Sequence, residues 1–373
     1  MNNTINDDQL YLKVSTDENS TNTSKSKTCM TRLSPIFVFV SYFLYFLSIF
    51  FSSALTQQLI ITVSCAKLNA DDCSSASISK VSSRIFFYSS LCTTVPCFLM
   101  SGPLGALSDS YGRKLILIIT SCGLFLYTIG ITYIAYFKPD NYVSILIISS
   151  VLYGVCGGFQ GFQLGCYAYL ADVTNSRLKY RTLYYSMLES FLIMAKVVGP
   201  ISAGYYASQN GFFPPLAVAT IIALLVVIFV NIIPESLQLD HQQSFKIEPF
   251  KSFQNIKVLF TLKAISGSSP LPLISVAFGL YFTTYLGYLN VYVLYLKHTF
   301  HSNVEIVGYY ASAESLVSVI SMLVLPSIVK RLLGSIVKSI YWVQIGYVAQ
   351  SIFFFLFASG KKIASFIITI LMN

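Results

Sequence analysis

Apolar runs of about 20 residues recur along the chain with short polar stretches between them, and each is long enough to cross a bilayer as a helix. They fall at Ile36–Val63, Ile85–Leu104, Leu115–Phe137, Tyr142–Leu170, Leu183–Ala207 and Phe212–Ile233. A polar stretch from Pro234 to Ser269 follows, then further runs at Leu271–Leu296, Val304–Val329 and Val337–Ala358. A tenth run starts at Ile363 and continues to Asn373. The pattern predicts an all-α polytopic membrane protein made of two helix bundles. Residues 36–233 form an N-terminal six-helix bundle, 234–269 a central cytoplasmic loop, and 270–373 a C-terminal bundle that ends inside its fourth helix. Residues 1–35 are polar and rich in Ser, Thr and Asn, which predicts a disordered cytoplasmic tail. Within it, Tyr11-Leu12-Lys13-Val14 resembles a tyrosine-based sorting signal.

Composition supports the membrane reading and narrows the chemistry. The chain of 373 residues is 55% hydrophobic and only 10% charged, with a mean hydropathy of +0.67, whereas soluble domains carry about 25% charge. The net charge of +9 therefore reflects topology and gives no reason to expect a nucleic-acid partner. Most of the 24 Lys and Arg residues flank the side of the tail, among them Arg113, Lys114, Arg177, Lys179, Arg181, Lys330 and Arg331. Lys67, Lys80, Arg84, Lys138, Lys297, Lys361 and Lys362 lie opposite, so the tail is expected in the cytoplasm. His241, His298 and His301 fall in loops, with no Cys or carboxylate at metal-ligand spacing. No triad-like grouping suggests an enzyme, and neither a metal nor a cofactor is expected. Cys65 and Cys73 share the first outside loop, where an oxidising environment makes them a candidate disulfide.

Three polar features interrupt the apolar pattern. The first is Gly105-Ala106-Leu107-Ser108-Asp109-Ser110-Tyr111-Gly112-Arg113-Lys114, between the second and third spans. Its charges predict a tight surface turn, with Gly105 allowing a close helix approach and Gly112 a bend. Asp109 is expected to face the N-terminus of a neighbouring helix, and Arg113 and Lys114 an anionic membrane face. The second is a set of ionisable groups inside spans: Glu189 and Lys196 on the fifth, Glu314 on the eighth. A charge at this depth costs on the order of 3 kcal/mol, so each is expected to turn inward. Seven residues separate Glu189 from Lys196, about 10 Å along a helix axis, too far for direct neutralisation. Each either pairs with a neighbouring helix or has a functional role, with Glu189 gaining and losing a proton. The third is Tyr281, Tyr285, Tyr288, Tyr292 and Tyr295 along one helical face of the seventh span. That face is either a packed aromatic seam or the wall of a polar cavity. On the fourth span, Gly154, Gly158, Gly161 and Gly165 form a packing row, with Gln160 and Gln163 beside it as candidate pore lining.

The Gly-x-Leu-x-Asp-x-x-Gly-Arg-Lys pattern resembles the signature loop of the major facilitator superfamily, and the topology agrees. Tyr169-Leu170-Ala171-Asp172, Arg181-Thr182 and Leu188-Glu189 add a resemblance to solute carrier family 46, the group of the proton-coupled folate transporter. This resemblance implies the major facilitator fold and a proton-driven symporter working by alternating access, with its substrate site between the bundles. Glu189 falls on the family's proton-coupling glutamate, Asp109 and Arg113 on its gating loop, and Asp172 on the cytoplasmic acidic partner of Arg113. The family's histidine of the seventh span has no match between Tyr281 and Leu296, and its arginine of the tenth has none before Asn373. Between the eighth and ninth spans, Lys330, Arg331 and Gly334 remain of a second signature loop. Gly199-Pro200-Ile201-Ser202-Ala203-Gly204 partly resembles the superfamily's antiporter motif and is expected to kink or pack the fifth span. The expected partners are a small organic solute, folate-like or another organic anion, together with protons and the lipid bilayer. The expected location is the plasma or lysosomal membrane. The alternative is a truncated, non-transporting isoform or a receptor-like binder.

Overall fold

The computed structural model describes residues 7–67, 76–175 and 178–236, with side chains from Pro35 onward, and shorter pieces within 276–288, 307–316 and at 352. Between residues 7 and 236 the described helices are, in order, α1 Asp7–Lys67, α2 Ala76–Tyr111, α3 Arg113–Phe137, α4 Tyr142–Val155, α5 Gly158–Val173, α6 Leu178–Asn210 and α7 Phe213–Ile232. Among the described residues, six stretches are long and apolar enough to cross a membrane: Pro35–Lys67, Ser77–Tyr111, Arg113–Phe137, Tyr142–Val173, Leu183–Asn210 and Phe213–Ile232. They coincide with the first six apolar runs. No strand occurs among the described residues.

Two elements differ from the sequence pattern. The backbone of α1 is helical from Asp7, inside the stretch whose polar composition predicts a disordered tail. A helix that extends backwards from a packed span needs no new nucleus, so composition alone does not stop it. The apolar part still begins at Pro35. The fourth span is broken into α4 and α5 at Gly157 and Gly158, whose φ angles of 95° and 54° lie in the left-handed region. The Gly157 carbonyl still accepts the Gly161 N–H at 2.8 Å, and side chains of neighbouring helices add to the hydrogen bonding at the break. Tyr45 donates its hydroxyl to the Gly158 carbonyl at 3.1 Å, and the Cys97 thiol donates to that of Gly157 at 3.1 Å. The break is thus held by side chains from α1 and α2.

The bundle packs α1 on α6 and α7, α3 on α7, and α2 on α4. One buried cluster holds Tyr42, Tyr45, Leu117, Phe162 and Tyr169, with the Tyr45 and Phe162 rings stacked at 3.8 Å. A second, nearer the opposite ends of the helices, holds Leu55, Leu59, Ile131, Leu146 and Leu216. Large apolar side chains such as Phe87, Leu91, Phe98, Leu225 and Ile228 are exposed. On membrane helices that face meets lipid, which solvates apolar groups without an energetic cost. At the end away from the signature loop, Lys67 pairs with Asp140 and, by its hydrogen bond, holds that carboxyl below the usual range. Cys65 is disulfide-bonded, and its expected partner Cys73 lies outside the described residues.

Candidate functional site

The polar knot forms where α2 meets α3. Nothing from Leu104 to Tyr111 stops the helix, so Gly105–Tyr111 forms the last turns of α2, and the expected ten-residue turn shrinks to Gly112 alone, at φ 108°. A Cβ built at Gly105 meets nothing within 4 Å, so the expected close approach is absent in this conformation. Asp109 stands on the last turn of α2. It lies one turn before Arg113 and accepts from its Nη1. The N-terminus of α3 is instead capped by Glu235, which accepts the backbone N–H of Arg113 at 2.8 Å and of Lys114 at 3.1 Å. A carboxylate there satisfies two orphan donors and meets the positive end of the helix dipole.

The remaining donors of Arg113 tie the knot to α5. Its Nε donates to Asp172 Oδ2 at 3.0 Å and its Nη1 to Ser108 Oγ at 3.2 Å. Asp172 is 26% exposed and Asp109 68%, so the Asp172 pair is the better shielded from water. Ser236 Oγ donates to Asp172 at 3.4 Å, and the Tyr169 hydroxyl donates to the Pro234 carbonyl at 2.9 Å. Lys114 Nζ donates to the Asn231 carbonyl at 2.6 Å, and Arg181 Nη2 to that of Ala171 at 3.2 Å. The ends of α2, α5 and α7 and the starts of α3 and α6 are thereby joined. Asp109, Gly112, Arg113, Lys114, Asp172 and Arg181, expected from the sequence, do come together. Glu235 and Ser236 were not expected; the signal was an acidic residue directly after the sixth span, within Pro234-Glu235-Ser236.

Deeper in the span, Glu189 is half-buried on α6 and accepts the hydroxyl hydrogen of Tyr167 from α5. Gln163 lies beside Tyr167, and the Tyr185 ring meets the Tyr167 ring edge-on at 5.0 Å. Tyr42 is fully buried alongside Tyr167 and Glu189. Gln160 is exposed, and its Oε1 accepts from the Cys97 thiol at 3.0 Å. Lys196, half-buried further along α6, acts electrostatically on Glu314 of the eighth apolar run. Glu314 is buried and accepts from the Tyr288 hydroxyl at 3.2 Å. Tyr281, Tyr285 and Tyr292 lie outside the described residues. No cluster of potential metal ligands occurs among the described residues.

The family model described as Major Facilitator Superfamily matches residues 33–373. Among curated proteins, the lysosomal proton-coupled steroid conjugate and bile acid symporter SLC46A3 of Homo sapiens is 23% identical over 225 residues, covering 58% of this chain and 48% of that protein. The proton-coupled folate transporter of Bos taurus is 28% identical over 165 residues, covering 41% and 35% respectively. The chain thus spans about half the length, or less, of these relatives. A crystal structure of a D-xylose-proton symporter aligns with a TM-score of 0.59 at 16% identity, covering 90% of this chain and 78% of that one, a likeness of fold alone.

Proposed function

Because this chain belongs to the major facilitator superfamily, we propose that it moves a small organic solute across a membrane by alternating access, coupled to protons. The observation that carries this reading is Glu189, a carboxylate within a membrane-spanning helix that is held by the Tyr167 hydroxyl. A carboxylate at such depth is expensive unless it has a functional or pairing role, and a phenol hydroxyl serves both of its protonation states. Glu189 takes up a proton on one side and releases it on the other. Asp109, Arg113, Asp172 and Glu235 latch the cytoplasmic ends of the helices while the opposite side is open. Lys196, Glu314, Gln160, Gln163 and the tyrosine face containing Tyr281, Tyr285, Tyr288 and Tyr292 line the solute path. Relatives named for steroid conjugates, bile acids and folate favour an amphipathic organic anion over a sugar. The protein is then a transporter rather than an enzyme, in the plasma or lysosomal membrane, with its N-terminus cytoplasmic.

The test is solute uptake at pH 5.5 and 7.5 in cells expressing the wild type or Glu189→Gln at matched surface levels. Uptake by the wild type should rise at acid pH, and Glu189→Gln should abolish that rise. Undiminished acid-driven uptake in Glu189→Gln would remove the coupling role. No uptake by the wild type would favour a binding or receptor-like protein.

A further inference from the structure

Away from the solute path, α3 and α7 leave a groove between them at the ends farther from the signature loop. It holds about 270 Å³ and is lined by Ile129, Thr132, Tyr133 and Phe137 from α3 and by Phe213 and Thr220 from α7. Its wall is apolar although two threonines stand in it. Their hydroxyls lie 2.8 Å apart and reach the Leu216 carbonyl at 3.0 and 3.1 Å, so both hydrogens are spent within the protein. A chain of rings closes the outer end: Tyr133 to Phe137, Phe137 to Tyr136 and Tyr136 to Phe213, with centroids 4.7, 4.7 and 4.8 Å apart. Both helices are long and apolar enough to span the membrane, so bilayer lipid covers this face. From Ile129 to Phe137 the groove runs about 12 Å along the helix, which leaves about 20 Å² in section. That is room for one extended hydrocarbon chain and too narrow for the fused rings of a sterol.

The polar end of the groove carries a charge. With 25 residues α3 is about 37 Å long, more than the roughly 30 Å of hydrocarbon, so its last turn reaches the lipid headgroups. Lys138 follows directly as the C-cap; it is exposed and has no ion-pair partner among the described residues. Asp140, two residues on, is already paired with Lys67. The exposed Tyr136 offers a hydroxyl beside it. An apolar groove that ends at an unmatched cation is complementary to an amphiphile with one chain to bury and an anionic head. We propose that this groove binds an anionic phospholipid from the leaflet away from the signature loop, with one acyl chain between α3 and α7 and the phosphate at Lys138 and Tyr136. The site is separate from Glu189 and from the Arg113 knot, and it stands whether or not the chain transports a solute. A lipid seated there bridges the outer ends of α3 and α7, where Tyr136 already meets Phe213.

The experiment is native mass spectrometry of the full chain in detergent, titrated in turn with a phosphatidylglycerol, a phosphatidylcholine of the same acyl chains, and cholesterol. The wild type should bind the phosphatidylglycerol about fivefold more tightly than the phosphatidylcholine, the factor that one lysine near a membrane surface contributes. Lys138→Gln should bind the two phospholipids equally. Lys138→Arg keeps the charge and should keep the preference, which separates loss of charge from a disturbed fold. Ile129→Trp fills the groove from its lipid-facing side and should weaken both phospholipids alike while leaving their ratio intact. A phosphatidylglycerol with a diazirine on one chain, added at one equivalent, should crosslink mainly to residues 129–137 and 213–220. Equal binding of the two phospholipids by the wild type overturns the proposal, as does a preference that survives in Lys138→Gln or vanishes in Lys138→Arg. Unweakened binding by Ile129→Trp, displacement of the phosphatidylglycerol by cholesterol, or crosslinks spread over the other spans also overturns it.

Discussion

Adding a methyl group at Gly112 meets two obstacles at once. Its φ of 108° and ψ of 158° belong to a region essentially reserved for glycine, and the new Cβ would fall on the Glu235 carboxylate. Gly112→Ala should therefore destabilise the protein by about 2–4 kcal/mol, combining backbone strain with a lost cap. Glu235→Ala removes the cap alone and should lower stability by about 1 kcal/mol. Asp109→Asn touches an ion pair whose carboxylate is 68% exposed, and its effect should stay within about 0.5 kcal/mol. Thermal unfolding of the three variants in detergent should give that order; an Asp109→Asn effect as large as that of Gly112→Ala would contradict it. The contrast also shows what spacing reveals. Asp109 and Arg113 are i,i+4 neighbours, and the meeting of Arg113 with Asp172 followed from motif resemblance. Glu235 reaches the same knot from 122 residues away; an acidic residue just after the sixth span marks a helix end, but nothing local tells which helix it caps.

At the scale of elements, the first six spans were legible because a window of about 20 apolar residues is a strong signal; five of those runs are single helices and the fourth is two. Their interiors were less legible. The row of Gly154, Gly158, Gly161 and Gly165 reads equally well as a packing face or as a place to bend, and the structure uses it for both. Gly165 packs against Leu117 and Ile116, whereas Gly158 and its neighbour Gly157 break the helix. Gly157→Ala combines a positive φ with a Cβ only 2.6 Å from Leu104 Cδ1 and should cost about 1–3 kcal/mol. Gly105→Ala is the opposite case: the site is helical and open, so alanine should be neutral or stabilising by up to about 1 kcal/mol. Parallel melts should show a fall in melting temperature for Gly157→Ala and none for Gly105→Ala. A Gly105→Ala variant that is stable but transports poorly would mean that Gly105 serves a close approach in another conformation. A comparable fall in melting temperature for both would show that the open space at Gly105 is misassigned.

At the scale of the molecule, described residues of the second half touch α6 at Val197 and Pro200. Val197 and Pro200 receive Ser312 and Gly308, in the half of α6 farther from the signature loop, while the Arg113 knot ties together the other end. If the halves rock about the solute site, this contact exists in one conformation and opens in the other. Valine at Gly308 would overpack the contact against the Pro200 backbone by about 1–3 kcal/mol and disfavour the conformation described here. Because 1.4 kcal/mol is a factor of ten in a population, the shift should be roughly 5-fold to 150-fold. Ser312 is fully buried at the contact, so a cysteine there reports on its opening. In a background with the other cysteines replaced, Ser312→Cys should react slowly with a membrane-impermeant thiol reagent. Addition of Gly308→Val should raise the rate by a factor in that range, until opening saturates. Rapid labelling of Ser312→Cys alone would show that the contact is already mostly open. An unchanged rate with Gly308→Val would mean that the halves do not separate along α6, and alternating access would have to pivot elsewhere.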